Sequence, residues 1–340
     1  MIKTFGSDIL MMNLIWKIIE ILKKKLIWAI PIFMICGVIY GSLFNPSPLK
    51  SLILPLTFLM VYPMMVTLKI EELVSKGGAK ANILALILNF GVVPFIALGL
   101  GKLFFSDQPL LVVGILLSAL LPTSGMTISW TGFAKGNMHT AIKMTVIGLI
   151  VGSIATPFYI KFLVGATVSV PLMSIFKQII LIVFLPMFMG NLTQRILLSK
   201  YGIEKFNREI KMKFPSLSTL GVLGIVFVAM ALKANTIISN PSIILKSFIP
   251  ILLLYTINYI ISTYIGKMFL SREDAIALVY GTVMRNLSIA LAIAMSVFGK
   301  EGADIALIIA LSYVVQVKSA AWYVKFTDKI FGEKLVMEIL

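Results

Sequence analysis

The most informative part of the sequence is LLPTSGMTISWTGFAKGN (residues 120–137), which has a counterpart in VYGTVMRNLSIALA (residues 279–292). Both stretches are long and mainly apolar, and both carry helix-breaking or polar residues near the middle. In the first, Pro122 removes a backbone N–H and crowds the preceding turn, and Gly125 adds backbone freedom. The second contains a charged residue, Arg285. We therefore predict two helices that are each interrupted halfway.

The composition places these stretches in a membrane protein. Of the 340 residues, 59% are hydrophobic and 13% are charged, and the mean hydropathy is +1.02. Soluble domains carry about 25% charged residues, so the composition excludes an ordinary water-soluble enzyme, and the high hydrophobicity excludes disorder. With one Cys and one His, we expect no disulfide framework, no metal site and no cofactor.

Windows of about 20 apolar residues, the length that crosses a bilayer, occur ten times. They are residues 26–44, 51–68, 81–105, 110–134, 139–164, 172–198, 217–238, 243–269, 274–298 and 303–326. No strand-like alternation recurs, and lipid offers no partners to backbone groups, so the windows are predicted to be helices. The predicted fold class is an all-α integral membrane protein with ten transmembrane helices.

The basic residues predict the orientation. The net charge of +16 could indicate a nucleic-acid partner, but in a chain this apolar we interpret it as cytoplasmic loop charge. Basic residues are dense before the first window, after the second, sixth and tenth, and sparse in the loops between. This alternation predicts a cytoplasmic membrane protein with both termini in the cytoplasm and no nucleic-acid partner. Residues 9–22 fit either a short interfacial helix or an ordered cytoplasmic lead-in, and we expect no cleaved signal peptide.

The ten windows divide into two sets of five. The predicted organisation is a cytoplasmic or interfacial segment (1–25), a first five-helix repeat (26–165), an inverted second repeat (170–326) and a cytoplasmic tail (327–340). Inverted repeats are typical of secondary transporters, whose substrates bind where corresponding helices are interrupted. A single Pro-kinked helix is common in membranes, but the matched positions of these two interruptions favour a binding site.

Charged residues inside predicted spans usually mark function. Arg285 lies near the middle of its span, and because its guanidinium keeps its proton, it needs a buried partner, water or an anionic ligand. The alternative is a structural tie between helices. Lys143 and Lys318 face either a substrate path or a wet vestibule, and Lys233 is expected to reach the membrane interface. No Asp or Glu falls at the middle of a span, so the predicted core is cationic and suits anions.

Three stretches make the chain resemble the bile acid:sodium symporter superfamily, which includes an arsenite-permease branch. They are VYPMMVTLKIEEL (61–73), PTSGMTISWTGFAKGN (122–137) and residues 284–286 with the following LSIALAIA. The resemblance covers about residues 26–326. It implies ten helices in two inverted repeats, with broken helices four and nine crossing beside the sodium and substrate sites. It also implies alternating access, in which a panel domain (helices 1, 2, 6 and 7) moves against a core domain (helices 3–5 and 8–10).

The chain departs from the sodium-coupled members at the positions of the ion ligands. The fourth-helix Ser and Asn of the family align with Thr127 and Ile128, the fifth-helix Ser and Thr with Ala141 and Thr145, and the ninth-helix Glu and Gln with Gly281 and Arg285. A site with these replacements and an added cation is not expected to hold sodium. The resemblance instead implies that the fixed charge of Arg285 takes the place of the ion.

The chain also departs from the arsenite-permease branch. That branch has a Cys where this sequence has Thr123, so thiolate chemistry is not expected, and its ninth-helix Glu falls near Ser288. Met126 and Trp130 do match the branch. The placement between the two branches therefore stays open.

We expect a sodium-independent secondary transporter of a small anion, and not an enzyme, because no catalytic cluster is visible. Two alternatives are arsenite or antimonite efflux and a membrane sensor or binding protein without transport. Arg285 is expected to supply charge and paired hydrogen bonds to the anion, and the polar neighbours to orient it. The predicted substrate-binding residues are Pro122, Thr123, Ser124, Thr127, Arg285, Asn286 and Ser288, and the ion-site remnants are Thr127, Thr145, Gly281 and Arg285.

Overall fold

The computed structural model describes residues 16–74, 77–165, 172–299 and 301–333. Within these ranges the chain is helical and contains no β-strand. The expectations for residues 1–15, for the joint between the halves at 166–171 and for the end of the tail lie outside the described residues. Residues 16–24, in the described part of the N-terminal segment, are helical.

Twelve helical segments make up the bundle in the described ranges. In chain order they are α1 (Leu26–Leu43), α2 (Ser47–Val66), α3 (Ala79–Phe104), α4a (Pro109–Leu120), α4b (Gly125–Phe133), α5 (Met138–Val164), α6 (Leu172–Ile210), α7 (Lys213–Leu232), α8 (Ser242–Phe269), α9a (Arg272–Val283), α9b (Leu287–Val297) and α10 (Gly302–Phe331). Eight of them are long and apolar enough to cross a membrane, and the other four are the halves of two interrupted helices. The all-α membrane fold is confirmed, while the ten crossings and the inverted repeats stay predictions.

One predicted loop is helical instead. The window at 172–198 was expected to end before the basic stretch that follows, but α6 continues to Ile210 across a kink at Gly202 (φ 75°, ψ 162°). The reason is that Leu, Lys, Arg and Glu favour helices wherever tertiary structure allows. Glycine accepts the positive φ that redirects the chain.

The helices pack in two groups. In the panel group, α7 packs along both α1 and α2, and α6 packs on α2. In the core group, α8 packs on α9a and α10, α4a on α3 and α10, and α5 on α4b and α9a. The groups meet where α10 contacts α1 and α7, and where α9b contacts α2. We name the two groups after the panel and core domains that the resemblance implied, and their movement as separate domains stays a prediction.

The outer surface of the bundle is apolar. Phe162, Leu103 and Leu245 are 81%, 74% and 71% exposed, as lipid-facing side chains are expected to be. In contrast, two thirds of the residues in the apolar windows of α7 and α10 are buried inside the protein. Of the eight long helices these two are the most buried, and they lie where the groups meet.

Candidate functional site

The two interrupted helices cross at their interruptions. Thr123 N donates to Met284 O and Asn286 N donates to Leu121 O, both at 2.7 Å. Pro122 and Arg285 therefore face each other across a short antiparallel bridge. The two stretches singled out from the sequence are brought together by backbone hydrogen bonds that neither helix can make internally.

The interruption between α4a and α4b is held by its own side chains. Thr123 has a left-handed backbone (φ 65°), which is rare for a β-branched residue. Its Oγ1 donates to Pro122 O at 2.6 Å and lies 3.2 Å from Thr145 O of α5. Ser124 then starts α4b, because its Oγ accepts from Met126 N (3.2 Å) and its N–H donates to Thr127 Oγ1 (3.1 Å). Such reciprocal capping fixes a helix N-terminus.

The interruption between α9a and α9b is held by a residue of α10. Gln316 Oε1 accepts from Arg285 N at 2.7 Å, and Gln316 Nε2 donates to Arg285 O at 3.2 Å. Tyr255 of α8 donates to the same Oε1 at 2.9 Å, and Asn286 caps α9b by accepting from Ile289 N at 3.3 Å. The sequence analysis missed Gln316, although an amide in an apolar window was a visible signal.

Arg285 is 3% exposed and points into the core group. Its Nη1 donates to Ala119 O at 3.0 Å, in the last turn of α4a, where the helix dipole attracts a cation. Its Nη2 is buried and has no hydrogen-bond partner in the described part of the chain. The guanidinium lines a cavity with Ser118, Tyr255 and Asn258. This cavity has a volume of about 10 Å³, which is enough for roughly one water molecule.

The carbonyl groups at the end of α9a are also bonded. Asn89 Nδ2 donates to Gly281 O at 3.0 Å, and Asn258 Nδ2 donates to Thr282 O at 2.8 Å. The Oδ1 atoms of both asparagines are buried and without a partner among the described residues. In transporters with broken helices, the carbonyl ends of half-helices coordinate sodium. Here amide groups from α3 and α8 bind two of those oxygens, and the sequence analysis missed both asparagines.

The predicted site residues are all buried, and the structure divides them into three sets. Pro122, Thr123, Arg285 and Asn286 meet at the crossing. The side-chain oxygens of Ser124 and Thr127 accept from the backbone of α4b. Ser288 is hydrogen-bonded to Tyr313 of α10.

The predicted ion-site remnants lie beside α5. Thr145 Oγ1 donates to Ala141 O of its own helix at 2.7 Å. A Cβ at Gly281 would lie 2.5 Å from Met144 Sδ, so a methionine side chain occupies the space next to Gly281. One of the five N–H donors of the guanidinium binds Ala119 O, so the expected pair of hydrogen bonds from Arg285 to one anion would use its other donors and stays a prediction.

The other lysines singled out from the sequence differ in exposure and in position. Lys318 is exposed and shares an outer face with Trp322, one turn later and 63% exposed. Lys143 is half-buried on α5. Lys233 forms an ion pair with Asp304 at 2.7 Å, and the expectation that it reaches the membrane interface stays a prediction.

Comparison with known proteins identifies the family. A family model described as the sodium bile acid symporter family matches residues 54–240, just over half of the chain. The arsenical-resistance protein Acr3 of Alkaliphilus metalliredigens is 26% identical over 209 residues, which are 58% of each chain. Sodium/bile acid cotransporter 7 of Xenopus tropicalis is 24% identical over 191 residues, 54% of this chain and 53% of the relative.

A third relative is the uncharacterized protein YbaS of Bacillus subtilis, 26% identical over 220 residues, 64% of this chain and 70% of the relative. The chain spans little more than half the length of the two named relatives. The match supports the resemblance found in the sequence, and it agrees with a multi-pass membrane transporter that is not an enzyme. The chain therefore belongs to the sodium bile acid symporter family.

Proposed function

We propose that the protein is a sodium-independent secondary transporter that carries a small anion across the cytoplasmic membrane by alternating access. The observation that supports this most directly is the buried guanidinium of Arg285 at the crossing, with one nitrogen lacking a partner in the described chain. A guanidinium does not lose its proton in a protein. The crossing therefore has a permanent positive charge, which attracts anions and repels cations.

Sodium independence follows from the groups that surround this charge. A sodium ion needs several oxygen ligands, and the carbonyl ends of half-helices are the usual source in transporters. Gly281 O and Thr282 O already accept hydrogen bonds from Asn89 and Asn258. A sodium ion would have to share these oxygens with the amide donors and would also be repelled by Arg285.

The anion is proposed to bind on the side of the crossing where α4b and α9b begin. Helix N-termini carry positive partial charge and unpaired N–H groups. Gly125, the first residue of α4b, is exposed, and a Cβ placed there would meet no atom within 4 Å. In this arrangement Arg285 raises the electrostatic potential from behind the crossing, while Ser124, Thr127 and Asn286 fix the two N-termini.

Arsenite or antimonite efflux is the second candidate, because proteins named arsenical-resistance protein Acr3 from two organisms match this chain. Where the arsenite-permease branch has a Cys, the crossing of this protein has hydroxyl groups, those of Thr123 and Ser124. The only cysteine in the sequence, Cys36, is exposed on α1 in the panel group. A resistance assay in an arsenite-sensitive host tests this candidate, and protection that requires Thr123 would favour it over anion transport.

The main experiment measures exchange of radiolabelled carboxylates, phosphate and sulfate in liposomes containing the purified protein. Equal flux in sodium and in choline is expected, and Arg285→Ala should lower it at least about 100-fold, the effect of losing about 2.7 kcal/mol of interaction. Lys318→Ala is the matched control, since it also removes a span charge but from the outer face, and it should retain flux.

Three outcomes would contradict parts of this proposal. Nearly unchanged flux in Arg285→Ala would exclude a role of the fixed charge in anion transport. Steep sodium dependence would exclude sodium independence. Ligand binding without flux for every anion tested would favour a membrane sensor or binding protein.

A further inference from the structure

An ion pair joins the panel group to the core group. Lys233 Nζ lies 2.7 Å from Asp304 Oδ2, and the two side chains are 21% and 19% exposed. Lys233 follows the last residue of α7, and Asp304 lies in the first turn of α10. Helix C-termini attract cations and N-termini attract anions. Asp304 is therefore stabilised by its own helix as well as by Lys233, whereas Lys233 lies between the end of α7 and the start of the short helix Ala234–Ser239.

The long-range side-chain hydrogen bonds described here join helices within one group, unlike this ion pair. Those of Asn89, Asn258 and Gln316 join helices of the core group. The bond between Tyr62 and Thr193 (2.7 Å) joins two helices of the panel group. The ion pair thus differs from these polar contacts, because it crosses the boundary between groups.

We propose that the Lys233–Asp304 ion pair is a latch that holds the two groups together at this end of the bundle and opens during transport. The inference rests on the proposed function, since a latch has a role only where the groups move. Partial exposure suits this role. Water can solvate both charges when they separate, so opening costs less than for a buried pair, whose separation would leave bare charges in an apolar interior.

The test measures the distance between the groups directly. Spin labels are attached to Leu43→Cys at the end of α1 and Leu103→Cys near the end of α3, which are 70% and 74% exposed in the native protein. A Cys36→Ser background leaves only the introduced cysteines reactive. Distances are recorded by electron–electron double resonance in nanodiscs, with and without Asp304→Asn.

Asp304→Asn is expected to shift the population about two- to fivefold toward a longer distance, the range that a partly exposed ion pair supports. Lys233→Arg should keep the native distribution, because it retains the charge. Glu301→Gln is the matched control: it removes a neighbouring exposed carboxylate and should change nothing. The proposal is overturned if Asp304→Asn leaves the distribution unaltered or if Glu301→Gln changes it equally.

This measurement needs no substrate, so it separates the latch from the proposed function. Absence of flux for every anion would contradict the transport proposal alone. A shift in Asp304→Asn would still support a latch between the groups, and the lack of a shift would still overturn it.

Discussion

Replacing Arg285 with methionine distinguishes a residue kept for function from a structural tie. Methionine is of similar length, apolar and adaptable, so it fills the space of the arginine stem and part of the cavity. The interruption itself should survive, because Gln316 binds the backbone N and O of Arg285 and not its side chain. We expect Arg285→Met to fold and to lose anion flux.

The expected stability change can be worked out from the contacts. The substitution removes one charged hydrogen bond, Nη1 to Ala119 O at 3.0 Å, worth about 1.5–3 kcal/mol. It also removes a buried charge whose Nη2 has no hydrogen-bond partner among the described residues, and the desolvation of such an ion costs several kcal/mol. The second effect is larger, so the free energy of unfolding should rise by about 0–3 kcal/mol, which corresponds to roughly 0–8 °C in melting temperature.

The assay compares thermal unfolding and liposome flux for Arg285→Met and Gln316→Leu. The glutamine variant leaves two backbone groups of Arg285 unpaired and should lose roughly 2–6 kcal/mol, at about 1–3 kcal/mol for each group. Opposite signs of the stability change in the two variants are expected, with flux lost at least about 100-fold in Arg285→Met. If Arg285→Met melts as early as Gln316→Leu, Arg285 is a structural tie and the reasoning fails.

Three further predictions concern packing, charge and ion selectivity. Gly148→Ala should destabilise the protein by about 1–3 kcal/mol, because the added Cβ would lie 2.6 Å from Thr123 Oγ1. Gly99→Ala, whose Cβ would meet no atom within 4 Å, should leave the stability unchanged, and thermal unfolding of the two variants tests this difference. Burial, and then the nearby charge of Lys69, lowers the pKa of Lys211, so Lys69→Gln should raise that pKa in an NMR titration of methylated lysines, and no change would contradict the contact. In a triple variant, Gly281→Glu and Arg285→Gln restore two ion ligands of the family, and Met144→Ala makes room for the glutamate. Sodium should then raise the melting temperature of this variant, and an equal rise in choline would exclude a restored ion site.

The interruptions could be predicted from the sequence because their signals are local. Pro122 and the run from Arg285 to Asn286 stand out within apolar windows, and membrane helices tolerate such residues only where something else satisfies the freed groups. The family resemblance supplied the crossing of the two helices. Spacing alone does not give the backbone pairing of Thr123 with Met284 or the positive φ of Thr123.

The partners of the interruption could not be predicted, because they come from distant parts of the chain. Asn89 is 192 residues from Gly281, whose carbonyl it binds, and Gln316 is 31 residues from Arg285. Helical periodicity indicates which face of a span is polar, but it does not choose the helix that this face meets. An inventory of amides inside the apolar windows would have found Asn89, Asn258 and Gln316 as candidates, without their partners.

The ends of the four half-helices support the proposal that one charge selects the class of substrate. The C-terminal end of α4a is bonded to the guanidinium of Arg285, and that of α9a to the amides of Asn89 and Asn258. The negative ends, which would attract a cation, are thus already bonded to hydrogen-bond donors. The positive ends, at the starts of α4b and α9b, are capped by the neutral groups of Ser124 and Asn286, which satisfy single N–H groups without neutralising the dipole. Among the described residues no carboxylate is placed to offset this charge, so the proposed preference for an anion depends on Arg285, and Arg285→Met should weaken that preference without weakening the fold.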